Sequence, residues 1–152
     1  MEHETEKYQE TLRAIKQDFF RFRNGIVAEG LKGITGNAKR IYGLTVPQFM
    51  EMSKKYSKDT ELGLLLWQDE GTRESRIFAL YLIDPNDIDL KHANRLISDV
   101  QSFEEGDFLA FKVLRNIPEA EKVYKELSNS NEEFDGWSSH CLEMFRKNLE
   151  IK

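Results

Sequence analysis

An all-α fold, arranged as a helical repeat of antiparallel helix pairs, is what this sequence predicts, on three observations. Apolar residues recur at helical spacing along the chain, and no segment alternates with period two for long enough to form a strand. Caps and breakers divide the chain into helices of roughly 10–16 residues joined by short loops, so consecutive helices are expected to pack antiparallel. The length of 152 residues suits one domain.

The elements follow in order. Tyr8, Leu12, Ile15, Phe19 and Phe22 fall at alternating four- and three-residue steps, one stripe down a helix. Gly25, Gly30, Gly33 and Gly36 break that pattern, leaving a short helix and turns over 24–44. Thr45 caps the next helix with Pro47 in its first turn, and Phe49, Met52 and Tyr56 share its face. Asp59 caps a helix whose run Leu62, Leu64, Leu65, Leu66 and Trp67 is too continuous for a surface helix, which makes Trp67 a core residue. Gly71 and Thr72 turn the chain into a helix through Ile77, Leu80 and Tyr81 that ends before Pro85. Glu70, Glu74 and Arg76 around that turn read as surface ion pairs.

Asp89 caps a helix that buries Leu90, Ala93, Ile97 and Val100. Ser102-Phe103-Glu104-Glu105 is a capping-box pattern that opens a helix carrying Phe108, Phe111 and Leu114. Pro118 stands at the first position of a helix with Val123, Tyr124 and Leu127. After the polar stretch 128–133, a last helix buries Trp137, Cys141, Met144, Phe145 and Leu149. The expected organisation is one domain over 1–152, with N-terminal helices in 8–44 and stacked helix pairs in 45–83, 89–115 and 118–150. The pairs are alike in size and not in sequence, as in a solenoid whose repeat is one of shape.

Composition narrows the function. Hydrophobic residues make up 39% and charged residues 32%, a globular chain with a heavily solvated exterior. A single cysteine, Cys141, excludes an internal disulfide, and His3, His92 and His140 lie too far apart to suggest a metal site. No Walker loop, dinucleotide fingerprint, zinc pattern or serine-hydrolase elbow is present, so no cofactor is expected. No apolar run approaches the ~20 residues of a membrane span, and the opening Met-Glu-His-Glu-Thr-Glu is acidic where a leader is basic, so residence in the cytoplasm is expected. The net charge is −5, yet residues 11–40 set seven cations against Asp18 and Glu29. Lys32, Lys39 and Arg40 are thereby the candidates for contact with a phosphate backbone, although such a run is also an ordinary solvated helix face.

Four passages carry a resemblance. They are the basic N-terminal helix leading into Ile41-Tyr42-Gly43-Leu44-Thr45-Val46-Pro47; Leu65-Leu66-Trp67 followed by Glu74-Ser75-Arg76-Ile77-Phe78-Ala79-Leu80; Ser102-Phe103-Glu104-Glu105-Gly106-Asp107; and Trp137 in the last helix. In order and spacing over about residues 10–145 they resemble the DNA alkylation repair family, AlkD-like glycosylases built of HEAT-like helical repeats. The resemblance implies a HEAT-like α-solenoid (an alpha-alpha superhelix), duplex DNA as ligand and, as activity, excision of positively charged alkylpurines in base excision repair. It puts Asp107 in the place of the catalytic aspartate and Phe103 in the place of a lesion-facing tryptophan. Trp137 takes the place of a second tryptophan, and His140 that of an arginine that contacts phosphate. It is a resemblance to a shortened member, ending at Lys152, with a partly changed site.

On the residues alone, Asp107 also reads as a solvated carboxylate favoured by the helix dipole. Phe103 also reads as a core or staple residue, and His140 as an ordinary helix histidine. The same scaffold without catalysis would be a nucleic-acid binding module, or a scaffold for protein–protein interaction. The sequence sets neither an oligomeric state nor the identity of a protein partner.

Overall fold

The computed structural model describes residues 2–130 and 134–151, of which 2–5 are described by backbone alone. Among the described residues the chain is helical throughout and holds no strand; an isolated parallel bridge joins Arg40 to Thr72. The all-α class is therefore the one observed. The chain divides into two compact units, one of Met1–Gly33 with Asn37–Ile83 and one of Ile34–Gly36 with Asp84–Lys152.

The first unit contains α1 (Glu2–Arg21), α2 (Gly25–Leu31), α3 (Val46–Ser53), α4 (Thr60–Trp67) and α5 (Arg73–Leu82). Thr45 and Asp59 stand at the helix starts the sequence signalled, and Asn24 caps α2 besides. Asn24 Oδ1 accepts from the N–H of Ile26 and Val27, Gln48 Oε1 accepts from Thr45 N–H, and Asp59 Oδ1 accepts from Leu62 N–H. Each satisfies a donor that the first helical turn leaves open. The stripe of α1 buries Tyr8, Ile15 and Phe19, and α1 packs on α4. Helix α5 packs against both α3 and α4. Gly63 makes the α4–α5 approach close: a Cβ there would lie 2.7 Å from Ile83 Cγ1 and 3.0 Å from the Ala79 carbonyl oxygen.

Here the structure corrects one expectation. Glu74 and Arg76 are not surface ion pairs: they are 0% and 1% exposed, while Glu70 does stand in solvent. Every residue of α5 is buried. Apolar side chains occupy all sides of the helix over 77–82, so the polar residues of its first turns are enclosed as well. Enclosure demands partners. Glu74 accepts from the backbone N–H of Tyr42 at 2.9 Å and of Gly43 at 3.0 Å, and from Arg73 at 2.7 Å. Arg73 also donates to the Leu44 carbonyl at 2.9 Å, so one ion pair stitches the 42–44 turn to α5. That turn needs glycine at 43, where φ is +92° and a Cβ would fall 2.3 Å from the Asn24 carbonyl oxygen. Arg76 lies 3.7 Å over the Trp67 ring and donates to the Trp67 carbonyl at 2.7 Å. Trp67 is core, as expected, with a guanidinium on its face.

The second unit contains α6 (Leu90–Ser98), α7 (Phe103–Lys112), α8 (Ala120–Ser130) and α9 (Gly136–Glu150), with 3-10 turns at Pro85–Asp87 and Leu114–Asn116. Asp89 Oδ1 caps α6 through His92 N–H at 2.9 Å. Ser102 Oγ caps α7 through Glu105 N–H at 3.0 Å, and Glu105 reaches back to Gln101 N–H, one residue upstream of a standard capping box. Helix α8 begins two residues later than Pro118 suggested. Glu119 takes φ +55°, which no residue inside a right-handed helix can hold, and its carbonyl accepts the first helical bond from Val123. Of the polar stretch 128–133, residues through Ser130 continue α8, and 131–133 lie outside the described residues. Helix α9 packs chiefly on α7, and on α8 and α6 besides. Its buried face is Cys141, Phe145 and Asn148.

Candidate functional site

The chemistry-bearing side chains of the second unit gather where α7 starts and α9 crosses it. The Ser102 cap fixes the first turn of α7 and sends Phe103, its first residue, into solvent at 58% exposure. One helical turn on, Asp107 projects from the same face. From α9, His140 meets it: Nε2 stands 2.7 Å from Asp107 Oδ1, with the two side chains 31% and 51% exposed. The Phe103 ring touches the imidazole edge-on, centroid to centroid 4.8 Å. Gly106 is what lets the two helices come this near. A Cβ there would lie 3.2 Å from Cys141 Cβ, a tight contact, and 3.4 Å from His140 Cδ2, an ordinary one. Beneath the pair, burial pushes the Cys141 thiol pKa up, and the negative charge of Asp107 pushes it further.

His140 thus touches both Phe103 and Asp107 along one short run of surface. Trp137, one turn before His140 on the same helix, is 39% exposed. That corrects its place on the buried side of the last helix, whose first fully buried residue is Cys141. Met144 and Leu149 are likewise half-buried rather than core. On α6 Leu90 is exposed as well, since it is the first residue of its helix, while Ala93, Ile97 and Val100 are buried as expected. Phe111, carried by the same helix as Phe108, is 44% exposed. It continues the row Phe103–Asp107–Phe111 at four-residue steps, and the Arg115 guanidinium lies 3.8 Å over its ring. The four-residue spacing of these three residues is the signal that could have placed Phe111 outside.

Lys32, Lys39 and Arg40 belong to the first unit and are exposed there. Lys32 pairs with Glu29 at 2.9 Å. Among the described residues neither the Lys39 nor the Arg40 side chain makes an ion pair, while Arg40's backbone is held by Gly71 and Arg73. The basic segment offers more than these three. Arg21 and Arg23 line an open groove of about 500 Å³ with Gly25, Ala28, Ile41 and Tyr42. Arg21 leans on Asp18 at 2.9 Å, and Arg23 stacks 3.9 Å over Phe20. Such partners hold the guanidinium stems and leave the charge facing water.

The second-unit cluster offers one carboxylate, one imidazole and two exposed aromatic rings, with no group of metal-ligating residues among those described. Acid–base and electrostatic chemistry are within its reach. No described helix is long and apolar enough to cross a membrane. A family model described as "DNA alkylation repair enzyme" matches residues 9–140. That span takes in Lys32, Lys39, Arg40, Phe103, Asp107, Trp137 and His140. No curated protein matches the chain, and no solved structure does.

Proposed function

The chain belongs to the DNA alkylation repair enzyme family, and from that premise we propose that it binds duplex DNA and excises positively charged alkylpurines, with Asp107 as the catalytic carboxylate. Alkylation of a purine ring nitrogen makes the base a cationic leaving group. As its bond to the sugar breaks, the electron pair leaves with the base, and positive charge grows on the deoxyribose. A carboxylate facing that sugar stabilises the charge. Water then adds at the anomeric carbon and gives up a proton, leaving an abasic site and a neutral base.

One observation carries the reading. Asp107 is half exposed, has a single hydrogen-bonding partner among the described residues, and lies one helical turn from the exposed Phe103 ring, whose face suits a cationic nucleotide. Phe103 and Trp137 would contact the lesion, and His140 would line the same site. Lys32, Lys39 and Arg40 would hold the phosphate backbone, assisted by Arg21 and Arg23. The stacked HEAT-like solenoid, one domain over 1–152, belongs to the same proposal.

The test is release of free base from a duplex carrying 7-methylguanine, under single turnover. Asp107→Asn is expected to slow release by about 10²-fold or more. Release unchanged in that variant would remove the carboxylate from the mechanism. Binding of the same duplex should weaken steeply with salt, since phosphate contacts release counterions. The exposed Phe20, Ile26, Val46 and Met50 of the first unit favour a second reading, a non-catalytic scaffold for protein–protein interaction. Absence of duplex binding even at low salt would select it.

A further inference from the structure

Resting on the duplex-DNA part of the reading above, we propose that the groove of the first unit is a built seat for one backbone phosphate. Arg21 and Arg23 grip the anion there, the Tyr42 hydroxyl donates to it, and Gly25 leaves room for it. A diffuse basic face would differ, since each cation there acts through its charge alone.

The walls are fixed before any ligand arrives. One wall is the α1–α2 junction, with Arg21, Arg23, Gly25 and Ala28, and the other is Ile41 and Tyr42. A hydrogen bond from Asn24 N–H to the Tyr42 carbonyl at 2.7 Å ties the two together. Tyr42 N–H is held in turn by buried Glu74 at 2.9 Å, and the Tyr42 ring lies 6.0 Å from that of fully buried Phe19. Such a groove needs little reordering on binding, which separates a seat from a patch of mobile side chains. Gly25 is the first residue of α2, and a Cβ there would meet nothing within 4 Å, so the groove is open beside it.

The donors match a phosphate. A guanidinium carries five N–H donors in a planar fork. Among the described residues Arg21 reaches Asp18 through Nη2 at 2.9 Å, and Arg23 reaches the Phe20 carbonyl through Nη1 at 2.8 Å while stacked on the Phe20 ring. Donors remain on both, and phosphate oxygens accept such forks two at a time. The Tyr42 hydroxyl has no hydrogen-bonding partner among the described residues, and it is not sealed from solvent. The carboxylates of the last turn of α1 and of α2 are already neutralised. Asp18 is shared between Arg21 and Lys55, at 2.9 and 3.2 Å, and Glu29 is paired with Lys32 at 2.9 Å. Arg21, Arg23 and Lys55 set against Asp18 leave an excess of two positive charges around the groove.

The experiment is binding of an undamaged, end-labelled duplex, followed by fluorescence anisotropy across a salt series. Gly25→Glu puts a carboxylate at the groove where space allows it, and an acid in the first turn suits the helix dipole. Affinity is expected to fall about tenfold or more, since like charges are forced together. Gly30→Glu is the control: the same charge change on the same helix, in equally open space, outside the groove. Solvent screens it, and it should lose no more than about threefold. Arg21→Gln and Arg23→Gln should each reduce the slope of log affinity against log salt by about one, as a phosphate contact is lost. Tyr42→Phe removes a neutral donor, so binding should weaken about three- to tenfold at every salt concentration with the slope unchanged. Thermal unfolding checks the fold of each variant, and the two glycine variants with Tyr42→Phe decide the matter if an arginine variant is unstable. Equal losses in Gly25→Glu and Gly30→Glu, or wild-type affinity in Tyr42→Phe, would overturn the seat while leaving duplex binding in place. No binding by wild type even at low salt removes the duplex-DNA reading, and this inference falls with it.

Discussion

Glu74 in the first unit and Asp107 in the second are both helical carboxylates that meet a basic side chain at 2.7 Å. Their surroundings differ in every other respect. Glu74 is fully buried, and backbone N–H groups and Arg73 fill its lone pairs, so nothing of its charge is left for a ligand. Asp107 spends one oxygen on one histidine and keeps the other in the open. A short carboxylate–cation distance therefore says little about function. What separates scaffold from site is how many partners the charge already has and whether any face of it still meets solvent.

The comparison is most sharply tested at Glu74. Glu74→Ala removes the carboxylate that pairs with buried Arg73 and orphans the N–H groups of the 42–44 turn, so unfolding in urea should show a loss of about 3–5 kcal/mol. A loss below about 1 kcal/mol would mean the network is not structural. Next come the two glycines at helix crossings. Gly63→Ala forces a methyl against the Ala79 carbonyl and Ile83 in the tight α4–α5 contact, for a loss of about 1–3 kcal/mol. Gly106→Ala meets only ordinary or slightly tight neighbours on α9, and the helical preference of alanine offsets much of the crowding, so stability should change by less than about 1 kcal/mol. Asp107→Asn should change stability by no more than about 0.5 kcal/mol while silencing release. A large destabilisation would make Asp107 a scaffold residue like Glu74.

The smallest effect concerns alkaline pH. Burial, and then the hydrogen bond to Asp59 at 3.0 Å, push the Tyr8 phenol up to about 12. A phenol that holds its proton longer folded than unfolded adds stability below the ordinary tyrosine pKa and loses it as pH rises toward about 12. The stability of wild type should therefore decline across that window more than that of Tyr8→Phe, followed by thermal unfolding.

Much of this architecture was legible because caps are local. Thr45, Asp59, Asp89 and Ser102 each work within three residues of themselves, and the sequence displays both ends of every such contact. Enclosure is not local. The Glu74–Ser75–Arg76 run looks solvated until α3, α4 and the 42–44 turn are known to close over α5, and the only hint is that the following 77–82 run is apolar all round. The misplacement of Trp137 has the same origin, since helical periodicity identifies a face but not where along the helix a neighbour covers it. Of the candidate site, the residue types were legible and the contact between His140 and Asp107 was not. It joins residues 33 positions apart through a glycine whose significance lies only in what packs on it.

Cys141 draws a practical consequence from that packing. It is the chain's single thiol, fully buried, and it lies against Gly106 directly under the Asp107–His140 contact. A reagent in solution can reach it only after α7 and α9 have parted, which also dissolves the cluster above. The rate of thiol capture under native conditions is then a clock for how often this surface comes apart, and it can be read with no DNA, no label and no engineered residue.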